Sequence, residues 1–138
     1  MEPSDEVVLT WRAGQQFRAD TPGGTFLEID GERAFGASPM DTLLVALAGC
    51  MGIDIVDILQ KGRQDVTACT LRLSGIRREA PPRRFTAIAL AVHLGGSGLS
   101  RAKAERAIEL SRTTYCSVWN SLAPDIALEI SLTLDHGG

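Results

Sequence analysis

The sequence contains little cysteine and little histidine. Its 138 residues include three cysteines, Cys50, Cys69 and Cys116, and two histidines, His93 and His136. An odd number of widely spaced cysteines is not the pattern of a secreted disulfide framework, so we expect a cytoplasmic protein with reduced thiols. Neither histidine has a second histidine or a cysteine at metal-ligand spacing, so we expect no metal site and no cofactor.

The chain also lacks an excess of positive charge and a long apolar run. Its formal net charge is −3 and its pI is about 5.3, which argues against binding to nucleic acid or to an anionic membrane. The most apolar stretch, residues 43–53, is well short of the roughly 20 residues that a membrane-spanning helix requires. The acidic residues 1–6 do not resemble a secretion signal. We therefore expect neither a nucleic-acid partner nor a membrane partner.

Residues 38–63 are predicted to form the central helix of the fold. Ser38 is a suitable N-cap, Pro39 suits the first helical position, and Asp41 completes a Ser-x-x-acid start that resembles a capping box. The first three turns have no polar stripe, and a helix that is apolar on all sides must be buried on all sides. The later turns are amphipathic, with two acidic residues expected on the solvent face, Asp54 and Asp57.

Alternation of apolar and polar residues predicts six strands. Three precede the central helix, two follow it at residues 68–74 and 85–94, and one lies at residues 126–134. The strand at 85–94 is apolar on both faces and is therefore expected at the centre of a sheet. Its end, Gly95-Gly96-Ser97-Gly98, is predicted to be a turn, because it lacks the lysine and the spacing of phosphate-binding loops.

A second long helix is predicted over residues 101 to about 122, with Ser100 as its N-cap. The order β-β-β-α-β-β-α-β then predicts a single α+β domain over residues 1–138 with two long central helices. One sheet and one other helix cannot easily cover a central helix as apolar as residues 43–53. Either the helix lies centrally between sheets, or a second subunit supplies the missing cover. The second solution is favoured, so an intimate homodimer is expected.

Cys50 and Cys116 lie on the two predicted helices. In one interpretation they form a two-thiol redox site, with one attacking and one resolving cysteine. In the other they are core residues, because free cysteine is among the most buried residue types; core packing is also expected for Cys69. A reactive Cys50 would be too far from the helix N-terminus for the helix dipole to stabilise its thiolate. It would need a cation, and the N-terminal part of the chain offers three arginines, Arg12, Arg18 and Arg33.

Two segments resemble those of a known family. Residues 38–50 (SPMDTLLVALAGC), followed by DIVDIL at residues 54–59, closely resemble the central helix of the OsmC/Ohr family. Residues 115–118 (YCSV) resemble that family's second cysteine segment. The Trp11 segment, the loop before Phe85 and the glycines at 95–98 fit as well, so the likeness covers nearly the whole chain. It is strongest with the OsmC-like branch.

The resemblance implies an OsmC-like α+β fold, an intertwined homodimer and sites at the subunit interface. It also implies a thiol peroxidase that reduces organic hydroperoxides in the response to oxidative stress. Cys50 would be the peroxidatic thiol and Cys116 the resolving thiol. An external dithiol, in the better-known branch a lipoylated protein, would reduce the resulting disulfide.

One position departs from the peroxide-resistance branch. That branch usually has a glutamate directly after the motif proline, which helps to hold a catalytic arginine. Here the position is Met40, and the acidic residue is Asp41. Arg18 and Arg33 are the candidates for the thiolate-activating arginine.

Two other functions fit the residues. The protein could be a binding module whose apolar dimer cleft holds an acyl chain or a similar small apolar ligand, with Cys50 as a lining residue. It could also be a cysteine-nucleophile acyl transferase or hydrolase, which requires a base beside Cys50 in a chain with few histidines.

Overall fold

The computed structural model describes residues 5–135. Within that range the secondary-structure elements follow the predicted order of six strands and two helices. They are β1 (Val8–Ala13), β2 (Gln16–Thr21), β3 (Thr25–Asp30), α1 (Pro39–Lys61), β4 (Asp65–Arg77), β5 (Phe85–Ser97), α2 (Arg101–Leu110) and β6 (Ala127–Asp135). The predicted α+β class and element order are therefore confirmed.

The chain divides into two compact units, Met1–Leu43 and Leu44–Gly138. The first contains an antiparallel sheet in the order β1-β2-β3, and the second contains a sheet in the order β4-β5-β6. A single domain over residues 1–138 stays a prediction.

The sheet of the first unit is formed by three short strands. A tight turn at Pro22–Gly24 joins β2 to β3, and Gly23 and Gly24 have φ values of 84° and 78°, which favour glycine. The alternation of apolar and polar residues in β1 is typical of a half-buried strand, but all six of its residues are exposed in this chain by itself. Trp11 has 62% of its surface exposed although its indole N–H donates to the Gly14 carbonyl oxygen at 2.9 Å.

Helix α1 begins as the sequence predicts. The backbone N–H of Asp41 donates to Ser38 Oγ at 3.1 Å, and the backbone N–H of Ser38 donates to Asp41 Oδ2 at 3.3 Å. This reciprocal pair is a capping box with aspartate as its acidic partner. Its two hydrogen bonds fix where the helix starts.

Only one face of α1 is buried within the chain. The buried residues recur every four positions and are Leu47, Met51, Ile55 and Leu59. On the opposite side, Val45 and Ile53 have 65% and 73% of their surface exposed. The expectation of burial on all sides is therefore not met by one chain, which leaves a broad apolar helix surface uncovered.

Helix α1 extends well beyond its uninterrupted apolar stretch, residues 43–53. By length and composition it could cross a membrane: its most apolar window has a mean hydropathy of 2.0, and 22% of that window is buried. The uninterrupted apolar stretch ends before Asp54, whereas the helix continues through Asp54 and Asp57 to Lys61. One such helix is weak evidence for a membrane span, because core helices share these properties.

Strand β5 occupies the centre of the second sheet, as its two apolar faces predicted. It pairs antiparallel with β4 and parallel with β6, and the parallel pairing requires the crossover that α2 provides. Strands β4 and β5 are each 13 residues long and exceed the predicted bounds at their ends. Four side chains of β5 form a fully buried row, Ile88, Leu90, Val92 and Leu94.

The prediction that residues 95–98 form a turn is wrong for the first part of that segment. Gly95 and Gly96 continue β5 and pair with Ala68 and Val66. The strand contains glycine here because its partner approaches closely, and a Cβ on Gly96 would clash with the carbonyl oxygen of Asp65. Only Gly98, with φ of 65°, has the positive φ of a turn residue.

The predicted second helix is shorter than expected. Helix α2 ends at Leu110, and one π-helical turn, Ser111–Tyr115, follows it. Cys116 has extended backbone angles and precedes a short 3-10 turn at Trp119–Ser121. The prediction that Cys116 lies on a helix is therefore wrong. The apolar spacing continues beyond Leu110, but the backbone does not stay α-helical.

Substitution of Gly96 by alanine tests the close approach of β4 and β5. We expect a loss of about 1–3 kcal/mol in the free energy of unfolding, because the added methyl group meets backbone that cannot move away. Urea denaturation monitored by circular dichroism measures the change. Ser97→Ala, at an exposed neighbouring position of the same strand, should change stability by less than about 0.5 kcal/mol. Equal stability of both variants would contradict the packing described here.

Candidate active site

The two cysteines that the sequence singled out meet in the second unit. Cys50 lies in the middle of α1 and is half-buried, whereas Cys116 is completely buried. The Cys50 side chain lies close enough to Cys116 to contribute to the raised pKa of Cys116. Both are free thiols. The fold thus brings together two sulfur atoms from distant parts of the sequence.

The buried position of Cys116 makes its thiol a weak acid. Burial, chiefly, together with the neighbouring Cys50 side chain, raises the pKa of Cys116 to about 11. The backbone N–H of Trp119, 3.3 Å from the Cys116 sulfur, opposes this shift. At neutral pH Cys116 therefore keeps its proton and can donate it towards Cys50.

The turn that carries Cys116 is held by hydrogen bonds to its own backbone. The Cys116 N–H donates to the Ser111 carbonyl oxygen at 2.7 Å, which closes the π-helical turn. The Asn120 side-chain amide donates to the Cys116 carbonyl oxygen at 2.8 Å and to the Arg112 carbonyl oxygen at 3.2 Å. Single π turns are rare and are frequent at functional sites.

A side-chain hydrogen bond connects this turn to α1. Ser111 Oγ, which is completely buried, donates to Asp54 Oδ2 at 2.8 Å. The expectation that Asp54 lies on the solvent face is wrong, because its carboxylate is half-buried against Ser111. Asp57, by contrast, is exposed and forms the expected surface ion pair with Lys61 at 2.9 Å.

Cys69 lies on β4, apart from the turn that carries Cys116. It is half-buried, and burial raises the pKa of its thiol. With Leu71 it forms the β4 wall of an open apolar groove of about 780 Å³ along the exposed face of α1. The α1 wall consists of Val45, Ala48, Gly49, Gly52, Ile53, Val56, Asp57 and Gln60.

The two arginine candidates lie in the first unit, and each has a carboxylate partner there. Arg18 pairs with Asp20 at 3.0 Å, and its guanidinium stacks 3.9 Å from the centre of the Phe26 ring. Arg33 forms a bidentate pair with Asp41, with N–O distances of 2.7 and 2.9 Å. The Arg33 hydrogen bond, supported by Ser38, lowers the pKa of Asp41 to about 2. Which arginine serves Cys50 stays a prediction.

The loop that presents Arg33 is organised by a buried carboxylate that the sequence analysis did not single out. Asp30, at the end of β3, is 2% exposed and accepts hydrogen bonds from three backbone N–H groups, those of Glu32, Ala34 and Phe35. These bonds, that of Glu32 first, lower the pKa of Asp30. An aspartate directly before Gly31 at a strand end is a signal for such a turn. Arg33 itself has φ of 59°, a left-handed conformation that the loop must enforce.

His93 is an exposed residue on β5, whereas Cys116 is completely buried. His136 lies outside the described residues. The three acidic residues near α1 have separate roles, with Asp41 capping the helix, Asp54 accepting from Ser111 and Asp57 pairing at the surface.

Comparisons with known proteins identify relatives of this chain. Residues 30–131 match the model of the family described as OsmC-like protein. Protein YhfA of Escherichia coli K12 is 44% identical over 114 residues, which are 82% of this chain and 85% of YhfA.

Solved structures share the fold. A hypothetical protein from Aquifex aeolicus VF5 has a TM-score of 0.88 at 30% identity, over 97% of this chain and 98% of its own. An organic hydroperoxide resistance protein OsmC from Legionella pneumophila has a TM-score of 0.69 at 16% identity, over 96% and 99% of the two chains, a likeness that concerns the fold alone. The match to the family model over most of the chain, together with the extent of the YhfA similarity, establishes that this protein belongs to the OsmC-like protein family.

Proposed function

We propose that this protein is a thiol-dependent peroxidase that reduces organic hydroperoxides, with Cys50 as the attacking cysteine and Cys116 as the resolving cysteine. The observation that carries the proposal is the contact between these two side chains, one half-buried and one completely buried. An oxidant can approach the first, and only a group that already lies inside the protein can reach the second. A solved structure that shares this fold is that of a protein named for organic hydroperoxide resistance.

In the proposed reaction, the hydroperoxide oxidises the two cysteines to a disulfide in two steps. The Cys50 thiolate attacks the distal oxygen of the hydroperoxide, the O–O bond breaks, and the alkoxide takes up a proton and leaves as an alcohol. Cys50 is then a sulfenic acid. The Cys116 sulfur attacks the Cys50 sulfur, the S–O bond breaks, and the proton of Cys116 leaves with the hydroxide as water. An external dithiol, such as that of a lipoylated protein, reduces the disulfide by two electrons and becomes a disulfide itself.

The different burial of the two thiols supports this assignment of roles. Reactive cysteines are partly exposed and lie near a positive charge, whereas buried cysteines are inert until a partner approaches them. Cys116 is buried, and its raised pKa keeps it protonated. These properties suit a resolving cysteine, which reacts only after Cys50 has become a sulfenic acid.

Arg33 is the better candidate for the activating cation. In the peroxide-resistance branch an acidic residue near the motif proline helps to hold the arginine, and in this chain Asp41 holds Arg33 through two hydrogen bonds. A bidentate pair fixes the orientation of a guanidinium more strictly than a single contact does. Asp41 would thus take the role of the glutamate that the peroxide-resistance branch usually has at the position of Met40. Arg18 stacks on Phe26 instead.

The functional protein is proposed to be a homodimer in the cytoplasm. The exposed face of α1 carries large apolar side chains at positions 45 and 53 and a glycine at position 49. An added Cβ at Gly49 would meet nothing within 4 Å, so a second helix can approach this face closely. A second copy of the chain would cover the surface that one chain leaves in water.

The apolar groove also favours an alternative function. A small apolar or acyl ligand could occupy the groove between α1 and β4, and the protein would then be a binding module. In that case Cys50 is only a neighbour of the ligand. The cysteine variants described next separate the two functions, because a binding module loses nothing when Cys50 becomes serine.

Treatment of the reduced protein with one equivalent of cumene hydroperoxide tests the roles of the cysteines. We expect rapid loss of two thiols and, by peptide mass spectrometry, a Cys50–Cys116 disulfide. Cys50→Ser should abolish the reaction, Cys116→Ser should leave a Cys50 sulfenic acid that dimedone traps, and Cys69→Ser should react like the unchanged protein. Slow thiol loss that does not depend on Cys50 would refute the proposal.

Substitution of the arginines tests the assignment of the activating cation. Arg33→Ala should slow the oxidation of Cys50 by about tenfold or more, because a nearby cation favours the thiolate. Arg33→Lys should recover part of the rate, since it keeps the charge but loses the bidentate geometry. Arg18→Ala is the matched control and should react at close to the original rate. The assignment is wrong if Arg18→Ala is the slower variant.

A charged residue on the exposed face of α1 tests the homodimer. The unchanged protein should have twice the chain mass of 14.8 kDa in light scattering at micromolar concentration. Ile53→Glu should shift it to the mass of one chain, because dimer formation would bury an unpaired carboxylate. Ala102→Glu, at an exposed position of α2, should remain dimeric. A single-chain mass for the unchanged protein would contradict the proposal.

A further inference from the structure

The hydrogen bond between Ser111 and Asp54 joins two segments that are 57 residues apart. Each partner is tied closely to one of the two cysteines. Asp54 follows Cys50 by four residues, so the two side chains lie one turn apart on the same face of α1. The Ser111 carbonyl oxygen accepts the N–H of Cys116.

The geometry points to a positioning role for this pair: we propose that the Asp54–Ser111 hydrogen bond holds the Cys116 turn against α1, so that the Cys116 sulfur stays within reach of Cys50. The inference rests on the Cys50–Cys116 disulfide of the proposed function. Neither residue touches the hydroperoxide in this mechanism, and the pair acts on the second step, the formation of the disulfide.

The requirement for such a restraint follows from the local structure. Cys116 has left helix α2 and lies on extended backbone between two short turns, so the helix no longer dictates its position. A disulfide forms only when the two Cα atoms lie within a narrow distance range and the Cβ atoms face each other. A buried hydroxyl that donates to a carboxylate on the other cysteine's helix sets that distance directly.

The role proposed for Asp54 differs from that of the activating cation. A carboxylate is not a cation, so Asp54 is not the group that activates Cys50. Its oxygen instead accepts from Ser111, a hydrogen bond that is stronger when the acceptor is charged. We therefore expect an amide at position 54, which keeps an acceptor oxygen, to preserve most of the effect.

Equilibration of the protein with reduced and oxidised glutathione tests the proposal without any peroxide. In this reaction the two thiols form one disulfide while one oxidised glutathione yields two reduced molecules. The ratio of disulfide to dithiol, measured by mass spectrometry after alkylation, gives the effective concentration of one thiol at the other. Asp54→Ala and Ser111→Ala should each lower it by about tenfold or more, because the second sulfur is no longer held in place.

Three variants serve as controls. Asp54→Asn and Ser111→Thr keep the acceptor and the hydroxyl, and should stay within about threefold of the unchanged protein. Ile55→Val weakens the buried face of α1 beside the pair and reports on stability alone; its thermal unfolding midpoint should fall while the effective concentration of the folded protein does not change.

A second measurement connects the pair to peroxide. In Asp54→Ala the oxidation of Cys50 by cumene hydroperoxide should stay within about twofold, while the sulfenic acid persists and reacts with dimedone. Unchanged effective concentrations in both alanine variants would overturn the inference, as would an asparagine variant as poor as the alanine variant. If the unchanged protein forms the disulfide with glutathione but ignores peroxide, the proposed function fails and the positioning role stands.

Discussion

The contact between α1 and the segment that follows α2 is the constraint on which the candidate site depends. Helix α1 buries one row of side chains, spaced by four residues from Leu47 to Leu59, and the burial of such a row fixes the rotation of a helix about its axis. That rotation directs Cys50 and Asp54 towards the turn with Ser111 and Cys116. A rotation by one residue, about 100°, would separate the two thiols.

The same packing buries the two cysteine side chains to different extents. Cys116 is enclosed, and loss of solvent raises its pKa to about 11, whereas Cys50 keeps part of its surface at the edge of the buried face. Burial stabilises the neutral form of an acid because the anion loses its hydration. A pair with unequal burial suits a sequence of attack and resolution better than two thiols in the same environment.

The apolar character of α1 has a second consequence. Its exposed side presents Val45 and Ile53 to solvent in a single chain. Large exposed apolar patches are typical of interaction surfaces. The helix thus carries two faces, one that contacts its own sheet through residues such as Gly52 and one that is available to another molecule. Glycine at both faces lets the helix be approached closely, which a larger side chain would prevent.

Sequence reasoning was most accurate where the determining contacts are local, and it failed where distant residues intervene. The helical pattern of residues 101–122 predicted one long helix because its apolar spacing is unbroken. The helix nevertheless ends at Leu110: the Ser111 hydroxyl donates to Asp54 of α1, and the Thr113 hydroxyl donates back to the Glu109 carbonyl oxygen, a competing bond that disfavours regular helix. The predictions of a solvent-facing Asp54 and of a turn at Gly96 were wrong for the same reason, because the residues that contact them, Ser111 and Asp65, lie on other elements.

The sequence by itself determined the order of strands and helices, the capped start of α1, the central place of β5 and the identity of the two candidate cysteines. The first three follow from capping chemistry and hydrophobic period, which act over a few residues. The roles of the two cysteines follow from the family resemblance. The tertiary structure alone decided that Cys50 and Cys116 meet, that Cys116 lies on a turn, that Asp54 accepts from Ser111 and that Arg33 is held by Asp41. Such facts depend on which surfaces pack together, and packing is set by the whole chain because each contact requires the others to be in place.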